Sequence, residues 1–300
     1  MNINLKLSKQ KLFKENLTFF SFVLPALLLY VIIFIIPMLG SVIYSFTNWD
    51  GIASTFHFVG FKNYIKAFTD DQRFIQVLGN TMKFAVINVA LVNVVALGFA
   101  MLLDMRLRYR NIYRSIIFMP NAISLIIVAF LWQFMYTKIY PEFVKSIGLD
   151  VLDISWFASG RTAIVAIAVA LLWQCVGYYM VVYITGLQTI DSSLMESADI
   201  DGASGWKKIR YITLPLIMPS IVVCVFLTIA SSFKQFELFF QMTNGGPGSS
   251  TEVVSLNIYN EAFIKSNVGY GSAKAVILFV IVLIFTSFQL KVFKSKEVEM

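Results

Sequence analysis

Apolar residues gather into six long stretches along the chain, each bounded by charged or polar segments. A helix that crosses a bilayer needs about 20 consecutive, mostly apolar residues. The pattern therefore predicts six spanning helices, at about residues 17–46, 79–103, 113–137, 162–190, 211–233 and 269–291. Lys274 and Lys291 frame the last apolar run, and we expect both side chains to snorkel to the membrane surface.

The composition agrees with this membrane prediction. Of the 300 residues, 58% are hydrophobic and only 14% are charged, so a soluble fold would lack the polar surface it needs. No separate soluble domain interrupts the pattern, and residues 1–300 are predicted to form one all-α transmembrane domain. The net charge of +7 comes from basic residues beside the apolar stretches, which favours membrane orientation over nucleic-acid binding.

The basic residues are divided unequally between the two sides of the predicted helices. Fourteen Lys and Arg residues fall on the N-terminus, on the loops near residues 110 and 208, and on the C-terminal tail; ten fall on the other side. The fourteen lie on shorter segments, and cytoplasmic loops are the ones enriched in Lys and Arg. We therefore predict a multi-pass protein of the cell membrane with both termini in the cytoplasm.

Ionisable residues are absent from the apolar cores of the predicted spans. Ion-coupled transporters usually need such a group at membrane depth, which counts against a secondary transporter or channel. His57 is the only histidine, and Cys175 and Cys224 lie in apolar stretches, which leaves no metal cluster and no acid–base set for an enzyme. The chain also lacks a G-x-x-x-x-G-K-[ST] phosphate loop, so energy for uphill transport must come from a partner.

The loop at residues 191–212, between the fourth and fifth predicted spans, carries the strongest functional signal. Asp191 or Ser192 can cap a short helix, Gly202 can adopt a positive φ angle, and Ser204 can cap a second helix. The sequence predicts a cytoplasmic helix–turn–helix with an exposed carboxylate and a small-residue surface. A connector lying on lipid is the alternative, although such helices favour Lys and Arg. The candidate contact residues are Glu196, Ala198, Asp199, Asp201, Gly202 and Ala203.

This segment resembles the EAA loop of ABC-importer permeases. That loop begins with E-A-A-x-x-D-G-A and ends in I-x-L-P, and the matching positions here are Glu196, Ala198, Asp201, Gly202, Ala203, Ile212, Leu214 and Pro215. Ser197 replaces the first alanine, one small residue for another. Segments 58–64, 114–120 and 243–247 resemble the carbohydrate-importer subgroup, whose permeases are of the maltose type. The resemblance covers about residues 17–294, nearly the whole chain.

The resemblance implies a six-helix, type I importer permease whose loop 191–212 acts as a coupling helix on a cytoplasmic ATPase. Glu196 would be the anchoring carboxylate, paired with an arginine or lysine of the ATPase. Closure of the ATPase dimer on ATP would switch the helices between inward- and outward-facing states. The implied partners are a second permease subunit, two copies of the ATPase with its ATP and Mg²⁺, an extracellular solute-binding protein and membrane lipid. The chain itself is expected to bind no cofactor, metal or nucleic acid and to catalyse no reaction.

Maltose-type permeases hold sugar with the helices on either side of the EAA loop, which points to a set of candidate substrate residues. The candidates at the matching positions and beside them are Tyr178, Thr228, Ser232, Gln235, Trp173 and Gln174. Thr228, Ser232 and Gln235 are spaced i, i+4 and i+7, which places them on one helix face. Hydroxyl, amide and aromatic groups together suit a neutral sugar or oligosaccharide.

Three alternative interpretations stay open. The same machinery could import a polyol or glycerol phosphate. The chain could also belong to a different class, a self-sufficient secondary transporter or channel. Finally, the hydroxyl and aromatic side chains could serve only as packing between membrane helices.

Overall fold

A computed structural model describes residues 19–105, 108–148, 154–203 and 205–294. These residues form helices joined by turns, with no β-strand among them beyond an isolated bridge between Thr47 and Phe58. Within the described ranges, four helices are long and apolar enough to cross a membrane, and the number of spans is six when each of two bent helix pairs is taken as one broken span. The all-α membrane architecture that the sequence predicts is thereby confirmed.

The helices have the following bounds in chain order: α1 Phe19–Tyr44, α2 Lys62–Thr69, α3 Gln72–Asp104, α4 Arg110–Ala122, α5 Leu125–Ile147, α6 Gly160–Leu187, α7 Ser192–Ile200, α8 Trp206–Leu216, α9 Met218–Lys234, α10 Glu237–Met242, α11 Val254–Tyr259 and α12 Val268–Lys294. The chain bends by 99° between α4 and α5 and by 75° between α8 and α9. α3 has 33 residues and is about 50 Å long, so it extends beyond the hydrocarbon core of a bilayer.

α6 lies at the centre of the bundle. In its most apolar segment 61% of the residues are buried, compared with 28% in α3 and none in α1. Its small residues Ala163, Ala166 and Ala170 are fully buried, which allows α3, α5 and α9 to pack closely around it. α1, in contrast, rests on the bundle mainly where its segment Ile36–Tyr44 contacts α12.

The third span is broken between α4 and α5. α4 ends in a 3₁₀ turn that contains Pro120, which has no backbone N–H to continue an α-helical ladder. Ile123 and Ser124 adopt ψ angles of 134° and 137°, and α5 then leaves in a new direction. The apolar length of the stretch at 113–137 does not indicate this break, because apolarity is the same in a straight and in a bent span.

The last span, α12, begins at Val268, before the apolar run that follows Lys274. Lys274 itself lies inside the protein. The Lys274 side chain is 1% exposed, and its Nζ lies 2.9 Å from an Asp71 carboxylate oxygen and 3.4 Å from one of Glu261. The expectation that Lys274 snorkels to the membrane surface is therefore wrong, since two carboxylates compensate its charge within the fold. Lys291, at the other end of α12, is exposed.

Candidate functional site

The segment between α6 and α9 folds into a helix–turn–helix. The Asp191 side chain accepts a 2.9 Å hydrogen bond from the Ser193 N–H, so Asp191, and not Ser192, caps α7. The same N–H is the main reason that the pKa of Asp191 lies below its ordinary value. Ser204, the predicted cap of the second helix, lies outside the described residues, and α8 begins at Trp206.

Gly202 ends α7 with a left-handed turn. Its φ angle is +72°, and the Ala203 N–H donates to the Ala198 carbonyl at 2.9 Å, which is the long bond of a Schellman motif. A β-carbon at residue 202 would meet no atom within 4 Å, so the backbone angle alone favours glycine here. The turn therefore sets the direction of the returning chain without support from neighbouring side chains.

The helix–turn–helix presents carboxylates beside large apolar side chains. Glu196 and Asp201 are exposed. Three large apolar residues of the segment are exposed as well, with exposed fractions of 87% for Ile200, 67% for Trp206 and 72% for Tyr211. We call these five residues the loop surface. Exposed aromatic and aliphatic side chains rimmed by charge are typical of a surface that binds another protein.

The alanines of the loop are placed differently from Glu196. Ala198 is 5% exposed, because it lies three residues after the half-buried Met195, on the face of α7 that is turned toward the protein. The expectation that Ala198 belongs to an exposed small-residue surface is therefore wrong, and Ala203 is half-buried. The side chain of Asp199 lies outside what the structure describes.

Two of the predicted substrate residues, Thr228 and Ser232, lie on the face of α9 that contacts α3, and each is at most 1% exposed. The Thr228 hydroxyl accepts a 2.9 Å hydrogen bond from Asn93, and the Ser232 hydroxyl accepts a 2.8 Å bond from Asn88. Tyr183 of α6 donates to Asn93 Oδ1 at 2.6 Å. We call these five residues the polar ladder, because amide and hydroxyl groups join α3, α6 and α9 in it.

Gln235 and Trp173 are also enclosed. α9 ends at Lys234, and Gln235 follows it with a ψ angle of 119°, so the expectation of three residues on one helix face is wrong for Gln235. Gln235 is 5% exposed, and its amide nitrogen has no hydrogen-bond partner within the described ranges. Trp173 is half-buried and meets Trp132 edge to face, with ring centroids 6.0 Å apart.

The remaining candidates, Gln174 and Tyr178, lie near the break between α4 and α5. Gln174 is in the middle of the 28 residues of α6, so the break lies beside the middle of a helix that is long enough to cross a bilayer. The Gln174 amide nitrogen approaches the carbonyl oxygens of Asn121 and Ile123 at 3.4 and 3.5 Å. Tyr178 is 40% exposed one turn further along α6, and Ser124 in the break is exposed too.

The break gives this region a polar character. Non-helical backbone at membrane depth is tolerated only where protein encloses it or where it lines a water-filled cavity. We call Asn121, Ser124, Gln174 and Tyr178 the break surface; it offers a phenol ring, a hydroxyl, amides and carbonyl oxygens. Such groups can stack on a sugar ring and exchange hydrogen bonds with its hydroxyls.

α6 packs closely against the last turns of α4, just before the break, because residue 177 is glycine. A β-carbon there would lie against the Ile117 carbonyl group and within 2.5 Å of Phe118 Cα. The helix backbones of α4 and α6 therefore contact each other directly, as small residues permit in membrane bundles.

Several of these residues were not singled out from the sequence. Asn88 and Asn93 are the two amide residues of the charge-free stretch 84–103, and amides in such a stretch indicate a polar contact between spans. Asn121 and Ser124 follow Pro120 inside an apolar stretch, which is a signal for a break.

These features define a multi-pass membrane permease. Within the described part of the chain, no group of three or more His, Cys, Asp or Glu residues could hold a metal, and both cysteines are free. Residues 93–296 match the family of binding-protein-dependent transport system inner membrane components, and the chain belongs to that family. The predicted resemblance to importer permeases is confirmed, as is the prediction of a transporter subunit and not an enzyme.

Named relatives share nearly the full length of the chain. It is 35% identical over 292 residues to the probable starch degradation products transport system permease protein AmyD of Thermoanaerobacterium thermosulfurigenes, covering 97% of this chain and 99% of the relative. It is 32% identical over 272 residues to the trehalose/maltose transport system permease protein MalF of Thermococcus litoralis, covering 90% and 91%.

A solved structure has the same fold. A bacterial alginate ABC transporter, determined in complex with an alginate pentasaccharide-bound periplasmic protein, contains a chain that superposes with a TM-score of 0.80. That chain is 22% identical, and the match covers 93% of this chain and 94% of the other. The permease fold of ABC importers is therefore common to both chains.

Proposed function

We propose that this chain is one of two permease subunits in an ATP-driven, binding-protein-dependent importer for a neutral sugar or oligosaccharide. The observation that carries the proposal is the loop surface, where Glu196 and Asp201 stand beside three exposed apolar side chains on a helix–turn–helix. The relatives named for starch degradation products and for trehalose and maltose support the sugar class.

The loop surface docks on a cytoplasmic ATPase, which is present in two copies and holds ATP and Mg²⁺. Glu196 pairs with a basic residue of the ATPase, and Ile200, Trp206 and Tyr211 fill an apolar cleft beside it. Both termini of the permease lie on this cytoplasmic side. The chain needs no cofactor of its own, since hydrolysis takes place on the partner.

Movement of the loop reaches the bundle through α8 and α9. α8 joins α9 directly across the 75° bend, so a pull on α7 and α8 shifts α9. The polar ladder then passes the shift to α3 and α6, because Thr228 and Ser232 are bonded to amides on α3. In this assignment Thr228 and Ser232 transmit motion, and the buried Gln235 supports them without contacting solute.

The break surface is the sugar-binding surface of this subunit. Tyr178 stacks on the apolar face of a sugar ring, and Gln174 and Ser124 exchange hydrogen bonds with its hydroxyl groups. The second permease subunit encloses the solute from the other side, and an extracellular solute-binding protein delivers it. Trp173 supports the surface from behind through its contact with Trp132.

Uptake in cells tests the proposal. We expect ATP-dependent uptake of at least one member of a panel of labelled neutral oligosaccharides, and its loss in Glu196→Lys at an unchanged amount of membrane-inserted chain. Glu142→Lys is the matched control, because Glu142 is equally a surface carboxylate but lies in α5, far from the loop along the chain. Full uptake by Glu196→Lys would contradict the coupling role.

Two further measurements separate the alternative interpretations. Uptake of a labelled polyol or glycerol phosphate, with no uptake of any sugar, would favour the alternative solutes. Flux through liposomes that contain this chain alone, without ATP, would favour a secondary transporter or channel.

A further inference from the structure

Charged and polar side chains form a connected series of contacts at the end of the bundle opposite the loop surface. The start of α3 lies there, whereas its last residues share an apolar cluster with the end of α6 and with Ile217, next to the loop. The contacting residues, which we call the charge clasp, are Asp71, Arg73, Glu252, Asn257, Glu261 and Lys274.

Lys274 is the centre of the clasp. Its Nζ lies 2.9 Å from Asp71 Oδ2, donates to Asn257 Oδ1 at 2.8 Å, and approaches Glu261 Oε2 at 3.4 Å. The ring of Tyr270 lies beside the same ammonium group, 4.4 Å from centroid to Nζ. A lysine that is 1% exposed is thus compensated by two carboxylates, one amide oxygen and an aromatic face.

Asn257 links Lys274 to a second buried charge. While its oxygen accepts from Lys274, its nitrogen donates to Glu252 Oε1 at 2.9 Å. Glu252 is 1% exposed and binds Arg73 Nε at 2.7 Å. Asp71 caps the start of α3 and Arg73 lies two residues later, so the two ends of this series of contacts belong to one short segment of the chain.

The clasp holds one loop in a fixed shape. Glu252 ends loop 243–252, which lies between α10 and α11, and the Asn80 amide donates to the carbonyls of Ser249 and Glu252 at 3.2 and 3.3 Å. At the tip, in contrast, Asn244 and Pro247 are exposed. The loop thus has a buried, fully paired stem and an exposed tip.

From this arrangement we infer that Lys274 is a positioning residue for delivery of solute, because it preforms loop 243–252 as the docking site of the extracellular solute-binding protein. The inference rests on the proposed function, which places this end of the bundle outside the cell. A preformed loop binds without the cost of ordering at the moment of docking. Removal of the lysine would take the ammonium group from the half-buried Asp71 and leave the buried Glu261 with Lys265 as its cation. Asn257, which holds the Glu252 carboxylate of the stem, would at the same time lose its bond to α12.

The test measures ATP hydrolysis by the purified complete importer in nanodiscs as its solute-loaded binding protein is titrated. We expect Lys274→Met to raise the half-saturating binding-protein concentration about tenfold while basal hydrolysis without binding protein stays unchanged. Lys274→Arg restores the cation and is expected to recover most of the affinity. Lys138→Met, an exposed lysine outside the clasp, is the control and is expected to leave the titration unchanged.

A second variant covers the outcome in which the Lys274→Met complex does not assemble. The Arg73 side chain is 51% exposed, so Arg73→Gln perturbs packing less and is expected to raise the half-saturating concentration about threefold. An unchanged half-saturating concentration in an assembled Lys274→Met complex, or in Arg73→Gln, would overturn the inference. A native complex that binding protein does not stimulate and that imports no solute would instead count against the proposed function.

Discussion

Replacement of Gly202 offers a quantitative test of the coupling role, because the free-energy cost of adding a side chain there comes from the backbone φ angle alone. The φ angle of +72° lies in the left-handed region, where a residue with a β-carbon is disfavoured by about 1–2 kcal/mol. No atom lies within 4 Å of the added β-carbon, so Gly202→Ala incurs no steric cost in addition. Gly202→Asn is expected to cost less, since asparagine visits this region readily.

The cost converts directly into affinity for the ATPase. A penalty of about 1–2 kcal/mol lowers the population of the closed turn by a factor of about 5–30. If only the closed turn docks, the apparent Kd for the ATPase rises by the same factor. The thermal stability of the bundle should hardly change, because the turn lies outside the packed spans.

The assay is a titration of labelled ATPase against the permease in nanodiscs. We expect the order of affinities to be native, then Gly202→Asn, then Gly202→Ala. Gly148→Ala is the matched control: its φ angle is +66°, it is equally unpacked, and it lies at the end of α5. Equal losses in Gly202→Ala and Gly148→Ala, or no loss in Gly202→Ala, would refute the reasoning.

Three further predictions concern the bundle. Gly177→Ala forces a β-carbon against the α4 backbone and should destabilise the chain by about 1–3 kcal/mol in thermal unfolding, whereas Gly98→Ala, with no atom within 4 Å, should not; equal melting temperatures would contradict this. Asn93→Leu removes the acceptor of the Tyr183 hydroxyl and one donor to Thr228, whose own hydroxyl still donates to the Cys224 carbonyl, and it should cost about 1–3 kcal/mol, with a smaller cost for Asn93→Gln if the amide is the essential group. Burial raises the pKa of Glu261, but hydrogen bonds and the charge of Lys274 outweigh it, so the pKa lies below its ordinary value. Its stabilisation should therefore be complete at neutral pH and be lost as the pH falls below about 4, and a melting temperature that is constant down to pH 2 would contradict this.

Features that depend on neighbours in sequence could be predicted. The number of spans follows from apolar length alone, since a bilayer imposes one minimum length on every helix. The helix–turn–helix follows from Asp191, which caps the start of α7, and from Gly202, which turns the chain after its end, and both lie within one segment.

Contacts between residues that are far apart in the sequence could not be predicted. Thr228 is a candidate solute ligand because it matches a position in maltose-type permeases, and its spacing with Ser232 places both on one helix face; neither argument says which helix that face contacts. Its partner Asn93 is 135 residues away along the chain. In the same way, Lys274 beside an apolar run is typical of a snorkelling lysine until Asp71, at the start of another helix, is brought against it.

The contact between α1 and α12 has a consequence for how the chain is made. Among the described helices, α1 is made first, and its main packing partner, α12, is made last. Until α12 has been made, α1 therefore stands against lipid or insertion machinery and lacks its final contacts. A chain that stops before residue 268 lacks the surface on which α1 rests, so a truncation far from α1 along the chain also leaves α1 without its packing partner.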